Sequence, residues 1–560
     1  MNVINFVAKK LFRKLNLNKK SEIANFPFSG NSIIGYEKPI IFDNDQENQF
    51  YSRYYNEHVL DCDNINNFFH LQSNHLFKIE LLNAKKYFKN KVFNIQSKED
   101  ALLPISGSLQ EKQDFEIQVE QKKNQITLNP QRFQYIKILK NQKIKITSSQ
   151  DFLIGNCIEL NQKKKNKYRI VCLLFVDGLY DLENLGLGSI KELMPNTYNF
   201  FSKGSYFKSH YANAEWTLAS FASIFSGGYS SGHGFFHPRK NHLIGKGYQI
   251  ISELFKQKEY MTFQVGGGWR MNPAYGYIKG FDRSVYQREM DCKQVIFEFI
   301  ENNNAFKNRD QFIWLNFNEL HHFLKILPSI HSQSKLSHNY LIKIKKEKTK
   351  SLFNKYDPVK IEILKNEMTR LDSYLEIFYD YILRNYSDDE FLVNLVTDHG
   401  HAFLDKSEYI LSDSRNRIPW FIRGKDIPIG EFNELTENVD IFKTLVSKCN
   451  LSQKNILHDG NLPLSMGGQE NRKYTFTQSI YPNQKYKSVL KDNNYEFRFE
   501  TDAVVSERGF INIKNIDTNL IERKTGKIIQ MPEISNNYKS ICLENIYKWN
   551  NYVNGLNNEK

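Results

Sequence analysis

The chain has no apolar run approaching the ~18 residues that a helix needs to cross a bilayer. Residues 1–20 lack both a continuous apolar segment and a small-residue cleavage site, so no secretory leader is expected there. The six cysteines (Cys62, Cys157, Cys172, Cys292, Cys449, Cys542) are scattered, with no CxxC pair. That excludes a disulfide framework and fits reduced, structural thiols. The lysine clusters at 163–165 and 343–350 lack any module that reads bases, so nucleic acid is excluded as a partner and the clusters read as solvated loops and helix faces. No internal repeat is present. Without an export signal the active surface is expected to face the cytoplasm, with peripheral contact at the inner face of the membrane as the expected membrane association. Phe6, Val7, Leu11 and Leu15, interleaved with Lys9, Lys10, Arg13 and Lys14, fit either a short interfacial helix or a frayed basic terminus.

What is present describes a large globular protein. At 560 residues the chain exceeds what one compact core holds, and its 40% apolar and 25% charged residues are ordinary for a soluble fold. The excess of 76 Lys and Arg over 62 Asp and Glu, a net +14, favours anionic partners such as phosphorylated donors, acidic glycans or a membrane surface. Residues 115–119, 125–128, 135–139 and 144–146 alternate apolar and polar with period two, as half-buried antiparallel strands do. A β-rich N-terminal domain with a basic leader is therefore expected over 1–165, with a sandwich over about 65–162 and a lysine-rich boundary at 161–167. From Tyr168 the pattern changes to continuous apolar runs (170–176, 261–265, 312–317, 391–396, 418–422) alternating with helical stretches. Within 361–383, Leu364, Met368, Leu371, Leu375, Phe378 and Ile382 share one helix face. This is the signature of an α/β fold with a mostly parallel sheet sandwiched by helices, expected over 166–440. A polar, mixed C-terminal subdomain, 441–560, is expected to complete the core and close over the site.

Ligands in open α/β sheets bind beyond the carboxyl ends of the strands. Two apolar runs end there in acid: 170–176 runs into Asp177-Gly178, and 391–396 into Thr397-Asp398-His399-Gly400-His401. A single Asp-Gly reads equally as a tight turn, but a turn does not account for both positions, so metal coordination is favoured for the pair. Thr217 opens a stretch of small and apolar residues that ends at Gly227-Gly228. It reads either as a helix N-cap or as a hydroxyl held in the positive end of a helix dipole, where a phosphate or sulfate would sit. A third run, 314–317, leads into Asn318-Glu319-Leu320-His321-His322, which resembles the wall of a site, with His322 equally suited to a satisfied buried role. Two acids, an imidazole and one alcohol can surround a divalent cation.

At this point a family resemblance emerges. Thr217, Ser220, Ser226-Gly227, Tyr229 and His233-Gly234, followed in order by Gly280-Phe281-Asp282, Glu319 with His321, Asp398-His399-Gly400 and Arg417-Ile418-Pro419, are similar to the sulfatase branch of the alkaline phosphatase superfamily. The resemblance covers about 168–500 and is closest, in nucleophile type, to its phosphoglycerol and phosphoethanolamine transferases. The departures are informative. Sulfatases convert a Cys or Ser to formylglycine, and Thr217 cannot be so converted. Phe221 stands where they have an arginine, Gly178 where they have a second acid, and Gly267-Gly268-Trp269-Arg270 where they have Gly-Lys-Trp-His.

The resemblance implies one divalent metal (Mn²⁺, Mg²⁺ or Zn²⁺) on Asp177, Thr217, Asp398 and His399. Thr217 is then the nucleophile, Arg270 a clamp on non-bridging oxygens, and His321 or His401 the acid and base. Glu319, His322 and His233 are the expected substrate-binding residues. A two-metal alternative draws on Asn318 with His322, and His458. The expected function is phosphoryl or substituted-phosphoryl transfer, or phosphodiester hydrolysis, through a phospho-threonine. The expected donor is phosphorylated and nucleotide-linked, and the acceptor a cell-surface glycan precursor or lipid-linked glycan. The competing readings are a sulfuric ester hydrolase and a non-catalytic glycan-binding relic of the same fold.

Overall fold

The computed structural model describes residues 28–29, 32–33, 35–36, 38–42, 46–55, 78–162, 165–236, 249–288, 290–322, 329–337, 355–407, 409–452 and 458–558. The basic leader and the lysine cluster at 343–350 lie outside them. Eleven strands organise the molecule. Four belong to the N-terminal region: β1 (Gln49–Tyr54), β2 (Ile79–Tyr87), β3 (Ala101–Ser106) and β4 (Phe152–Gly155). Seven follow: β5 (Ile170–Val176), β6 (Ser205–Tyr211), β7 (Met261–Gly266), β8 (Arg283–Tyr286), β9 (Gln311–Phe317), β10 (Phe391–Val396) and β11 (Arg417–Gly424). They share one mixed sheet in the order β3-β4-β2-β8-β7-β9-β5-β10-β11-β6, with β1 against β2.

The centre of that sheet, β8 through β10, is parallel, and β11 returns antiparallel to β10. Every residue of β5 is buried, and the alternation of its side chains shows why the run is continuously apolar. Ile170, Cys172, Leu174 and Val176 pack with α2 (Cys292–Ala305) and α3 (Pro358–Asn385), while Val171, Leu173 and Phe175 pack with α1 (Thr217–Ser226) and α4 (Asn438–Lys448). A strand covered on both faces has no position for a polar side chain except at its ends. The α3 face expected from sequence is buried as expected, and the helix starts where Asp357 accepts from Val359 N–H ahead of Pro358.

The N-terminal region is not detached from this sheet. β2 pairs antiparallel with β8, Leu81 opposite Ser284, so the β-rich region extends the core sheet directly. A separate four-stranded sheet (Phe93–Gln96, Gln113–Val119, Lys122–Leu128, Lys143–Thr147) packs its apolar face onto β3 and β4 through Phe115, Ile117, Ile144, Ile146, Leu103, Ile105 and Ile154. At the other end, β12 (Thr475–Ser479) begins a five-stranded antiparallel sheet backed by α5 (Pro532–Asn558). β12 docks on the segment leading into α1: Gln478 N–H donates to Asn213 O, Thr477 Oγ1 to Ala212 O, and Ser479 Oγ to Glu215 Oε1.

Candidate active site

The three central strands end together. Val176 lies opposite Phe317, and Phe175 opposite Val396, so Asp177, Asn318 and Thr397-Asp398 leave one sheet edge side by side. The turns after β5 and β10 lock onto each other: Gly178 N–H donates to Asp398 Oδ1 at 3.2 Å, and Leu179 N–H to Thr397 Oγ1 at 3.2 Å. Asp398 Oδ1 also accepts from His399 N–H at 2.9 Å. Oδ2 of the same carboxylate is buried and accepts no hydrogen bond by geometry from the described residues. It faces His399 Nε2 at 3.1 Å.

The state of His399 explains that contact. Its Nδ1 lies 2.8 Å from the Gly400 carbonyl, which can only accept, so Nδ1 carries the proton. Burial, with Arg415 and His401 acting in the same direction, holds the imidazole far below its usual pKa and therefore neutral. Nε2 then has a lone pair and nothing to donate. It points at Asp398 Oδ2, at Asp177 Oδ1 3.9 Å away, and at Thr217 Oγ1 3.3 Å away. Burial also raises the Asp398 carboxyl above the ordinary carboxylate range, against the nearby Thr217 hydroxyl and backbone N–H groups.

Asp177, His321 and His399 each offer a buried ligand atom, all within 4.8 Å of one another. Apart from the Thr217 hydroxyl, 3.3 Å from His399 Nε2, lone pairs converge in this dry site, an arrangement that suits a cation, and the oxygen and nitrogen set suits Mn²⁺, Mg²⁺ or Zn²⁺. The residues present therefore fit a divalent metal. Asp177, Asp398, His399 and Thr217 are brought together, and His321 joins them, its ring 5.7 Å from that of His399.

Thr217 is the first residue of α1, and the N-cap position belongs to Trp216, whose side chain caps nothing. The N-cap reading of Thr217 is thus replaced: its hydroxyl is not spent on the helix. α1 is buried along its whole length because its small residues let it lie close on the odd-numbered face of β5. Phe221 fills the space between them, its ring 4.9 Å from Phe175, 5.1 Å from Trp314 and 4.7 Å from Tyr277.

The other expected residues are placed as follows. Arg270 stands in a single turn, Trp269–Met271, with its guanidinium 5.8 Å from the Trp216 ring. Burial lowers its pKa, while Asp177 and Asp398 act to raise it, so it shares the field of the two acids. His401 lies against Gly178 and donates from Nε2 to the Gly178 carbonyl at 2.8 Å. Glu319 points its Oε1 at Cys292 N–H, at the start of α2. His233 bridges Ser223 Oγ, at 3.2 Å, and Phe235 N–H, at 3.1 Å, toward the C-terminal half of α1. The backbone of His322 is helical, and its side chain lies outside the described residues. Asn318 is 3% exposed, and neither its Oδ1 nor its Nδ2 has a hydrogen-bond partner among the described residues. His458 sits beside Phe442 and Lys443, and its neighbour Asp459 bonds to Gly227 at the far end of α1. Ten helical residues at 1.5 Å each put it roughly 15 Å from Thr217, so the two-metal set is not assembled.

Two further residues complete the site. Arg415 is 2% exposed and ties two distant segments together, donating from Nε to Glu215 O at 2.7 Å and from Nη1 to Gly400 O at 3.0 Å. Burial brings its pKa down to about 10 against the pull of Asp398, Glu215 and Asp177. Burial also pushes the Glu215 carboxyl up to about 7. The sequence signal fell two residues away, on Arg417, which instead bonds to the Lys208 carbonyl.

The family described as Sulfatase matches residues 171–449. Among solved structures, a candidate sulfatase from Bacteroides thetaiotaomicron superposes with a TM-score of 0.51 at 12% identity, covering 70% of this chain and 94% of that one. A phosphonate monoester hydrolase from Agrobacterium radiobacter gives 0.50 at 12% identity, covering 68% and 95%. No curated protein sequence matches the chain. At such identities the structures speak for the fold alone, and the match over 171–449 identifies that part of the chain as a domain of the Sulfatase family.

Proposed function

We propose that the protein is a metal-dependent transferase or phosphodiesterase that moves a phosphoryl or substituted-phosphoryl group through a phospho-threonine at Thr217. The observation that carries this reading is the Thr217 hydroxyl, turned from the helix cap into the site, 3.3 Å from His399 Nε2 and beside the Asp398 carboxylate. A divalent cation held by Asp177, Asp398, His399 and Thr217 would lower the pKa of that hydroxyl and offset charge on the phosphoryl oxygens. Asp398 takes up the Thr217 proton, and the Thr217 oxygen attacks phosphorus as the bond to the leaving oxygen breaks. Arg270 holds a non-bridging oxygen, and Arg415 keeps the Glu215 and Gly400 backbones, hence Thr217 and His399, at their spacing. His321 protonates the leaving oxygen and later accepts the proton of the incoming alcohol or water. His401, with Nε2 given to a backbone carbonyl, braces the Gly178 turn.

A threonine cannot become a formylglycine, and Phe221 and Gly178 replace two polar groups of the sulfatase pattern, which favours phosphorus over sulfur. The donor in this reading is a nucleotide-linked phosphate, and the acceptor a surface-glycan precursor on the cytoplasmic side. No helix among the described residues is long and apolar enough to cross a membrane. Thr217→Ala should fold, retain its metal and lose turnover by at least ~10³-fold. Intact-mass spectrometry of wild type with nucleotide-linked phospho-donors should show an adduct on Thr217. Hydrolysis of simple aryl sulfates with no adduct from any phospho-donor would favour the sulfatase reading, and no turnover with no metal bound would favour a binding relic.

The clustering of His321 with Asp177 and His399 supports a second role for it, as a ligand. His321→Ala separates the two. A proton carrier leaves metal affinity unchanged and removes one limb of the pH–rate profile, whereas loss of a direct ligand costs more in metal affinity than the roughly ten- to hundredfold typical of an outer-shell partner.

A further inference from the structure

Away from the candidate active site, the N-terminal strands border an open cavity with a mixed polar and apolar lining. About 260 Å³ in volume, it is lined by residues that include Tyr36, Tyr51, Arg53, Lys86, Gln150 and Phe152. Tyr51 and Arg53 come from β1, Lys86 from β2 and Phe152 from β4. Four strand steps separate β2 from β5 in the sheet order, roughly 19 Å at ~4.8 Å per step.

Arg53 is the unusual member. It is 4% exposed, yet no carboxylate pairs with it among the described residues. Nε donates to Ser106 Oγ at 2.9 Å, and Nη1 donates to the carbonyls of Tyr36 and Ser52 at 2.7 Å each. Nη2 donates to none of the described residues. The rings of Tyr36 and Phe133, 5.3 and 5.8 Å from the guanidinium carbon, offset part of the cost of burying that charge. Full compensation of a buried cation takes an anion. The nearby acid is already engaged: Asp151 accepts from Lys86 Nζ at 2.9 Å through one oxygen and from Lys89 N–H at 3.0 Å through the other. Two cations against one carboxylate leave the lining net positive. The Tyr51 hydroxyl, on a side chain 4% exposed, likewise has no hydrogen-bond partner among the described residues.

We propose that this cavity binds an acidic sugar residue of a glycan, with its anionic group on Arg53 Nη2, a hydroxyl on Tyr51 and its ring face against the lining aromatics. An uncompensated guanidinium selects the charge, the aromatic walls suit the apolar face of a pyranose, and the volume holds one sugar unit with a few waters. The site deepens the acceptor half of the proposed function and rests on that reading for its use. Its test is binding to the resting protein, so failed transfer chemistry and a failed sugar site give different results.

The experiment is calorimetric titration of the full chain with hyaluronan tetrasaccharide, chondroitin sulfate tetrasaccharide, cellotetraose and inorganic sulfate. Saturable binding of an acidic tetrasaccharide is expected: binding of hyaluronan assigns the carboxylate that both acidic probes carry, and binding of chondroitin sulfate alone assigns the sulfate. Affinity should fall about tenfold or more in Arg53→Lys, about fivefold in Tyr51→Phe and about threefold in Lys86→Met, and weaken as salt rises. Thr217→Ala should bind as wild type does. Should Arg53→Lys fail to fold, the Tyr51 and Lys86 variants decide. Equal affinity for cellotetraose would overturn the anion, and equal affinity for inorganic sulfate would overturn the sugar. Unchanged affinity in the folded variants would overturn the location, and no binding of either acidic probe would overturn the site.

Discussion

Gly178 shows how much one residue settles. In the sulfatase pattern an acid follows Asp177, and its absence read as a missing ligand. In the fold, Gly178 has φ +79°, and a Cβ added there would stand 2.8 Å from the His401 ring. The space a second carboxylate would need is occupied by an imidazole bonded to the Gly178 carbonyl. Gly178→Ala combines left-handed strain of about 1–2 kcal/mol with displacement of His401. Its expected outcome is a melting temperature lower by several degrees and activity lower by about tenfold. Unchanged melting and turnover would show that the turn is not held as described. Asp177, Asp398 and His399 were legible because a carboxylate directly after a buried apolar strand has few structural uses. Thr217 was legible as a hydroxyl at a helix start, though not as the first helical residue. Arg415 and Glu215 left no such mark, since Arg415 acts through backbone carbonyls of segments 200 and 15 residues away.

Among the elements, α1 converts a composition into a position. Its small residues allow close approach to β5, and Phe221 fills the gap against Phe175, Trp314 and Tyr277. The phenylalanine is therefore part of a repacked core and not an isolated loss of a sulfate-binding arginine. Phe221→Arg places a charge in that buried aromatic cluster, a change of the several-kcal/mol class. It should abolish cooperative unfolding or the folded state itself, as read by near-ultraviolet circular dichroism. Phe221→Leu should fold at a cost of about 1–3 kcal/mol. A stable Phe221→Arg protein with new aryl-sulfatase activity would sink this account. The central strands were legible because burial on both faces forces an unbroken apolar run. The attachment of β2 to β8 was not, because an edge pairing between distant antiparallel strands leaves no period in either one.

For the whole molecule, the segment from β6 into α1 joins the parts: β6 borders β11, β12 docks on residues 212–215, and α1 carries Thr217 into the site. His210 sits within this junction, fully buried, with Nδ1 3.0 Å from Thr436 Oγ1 and Nε2 2.9 Å from Asn438 Oδ1. Burial pulls its pKa down to about 3 from 6.5; Asn438 acts against this, and Arg472 reinforces it. Between those two values the unfolded chain binds a proton that the folded chain refuses, so stability rises with pH up to about 6.5 and is level above it. As pH falls below 6.5, this one group removes up to about 1.4 kcal/mol per unit. His210→Gln, neutral throughout, should shed that slope. Urea midpoints between pH 7 and 5 should fall more steeply for wild type than for the variant, by about one proton's worth. Parallel curves would mean that the junction opens before His210 is challenged, so that the segment carrying Thr217 is not part of the cooperative core.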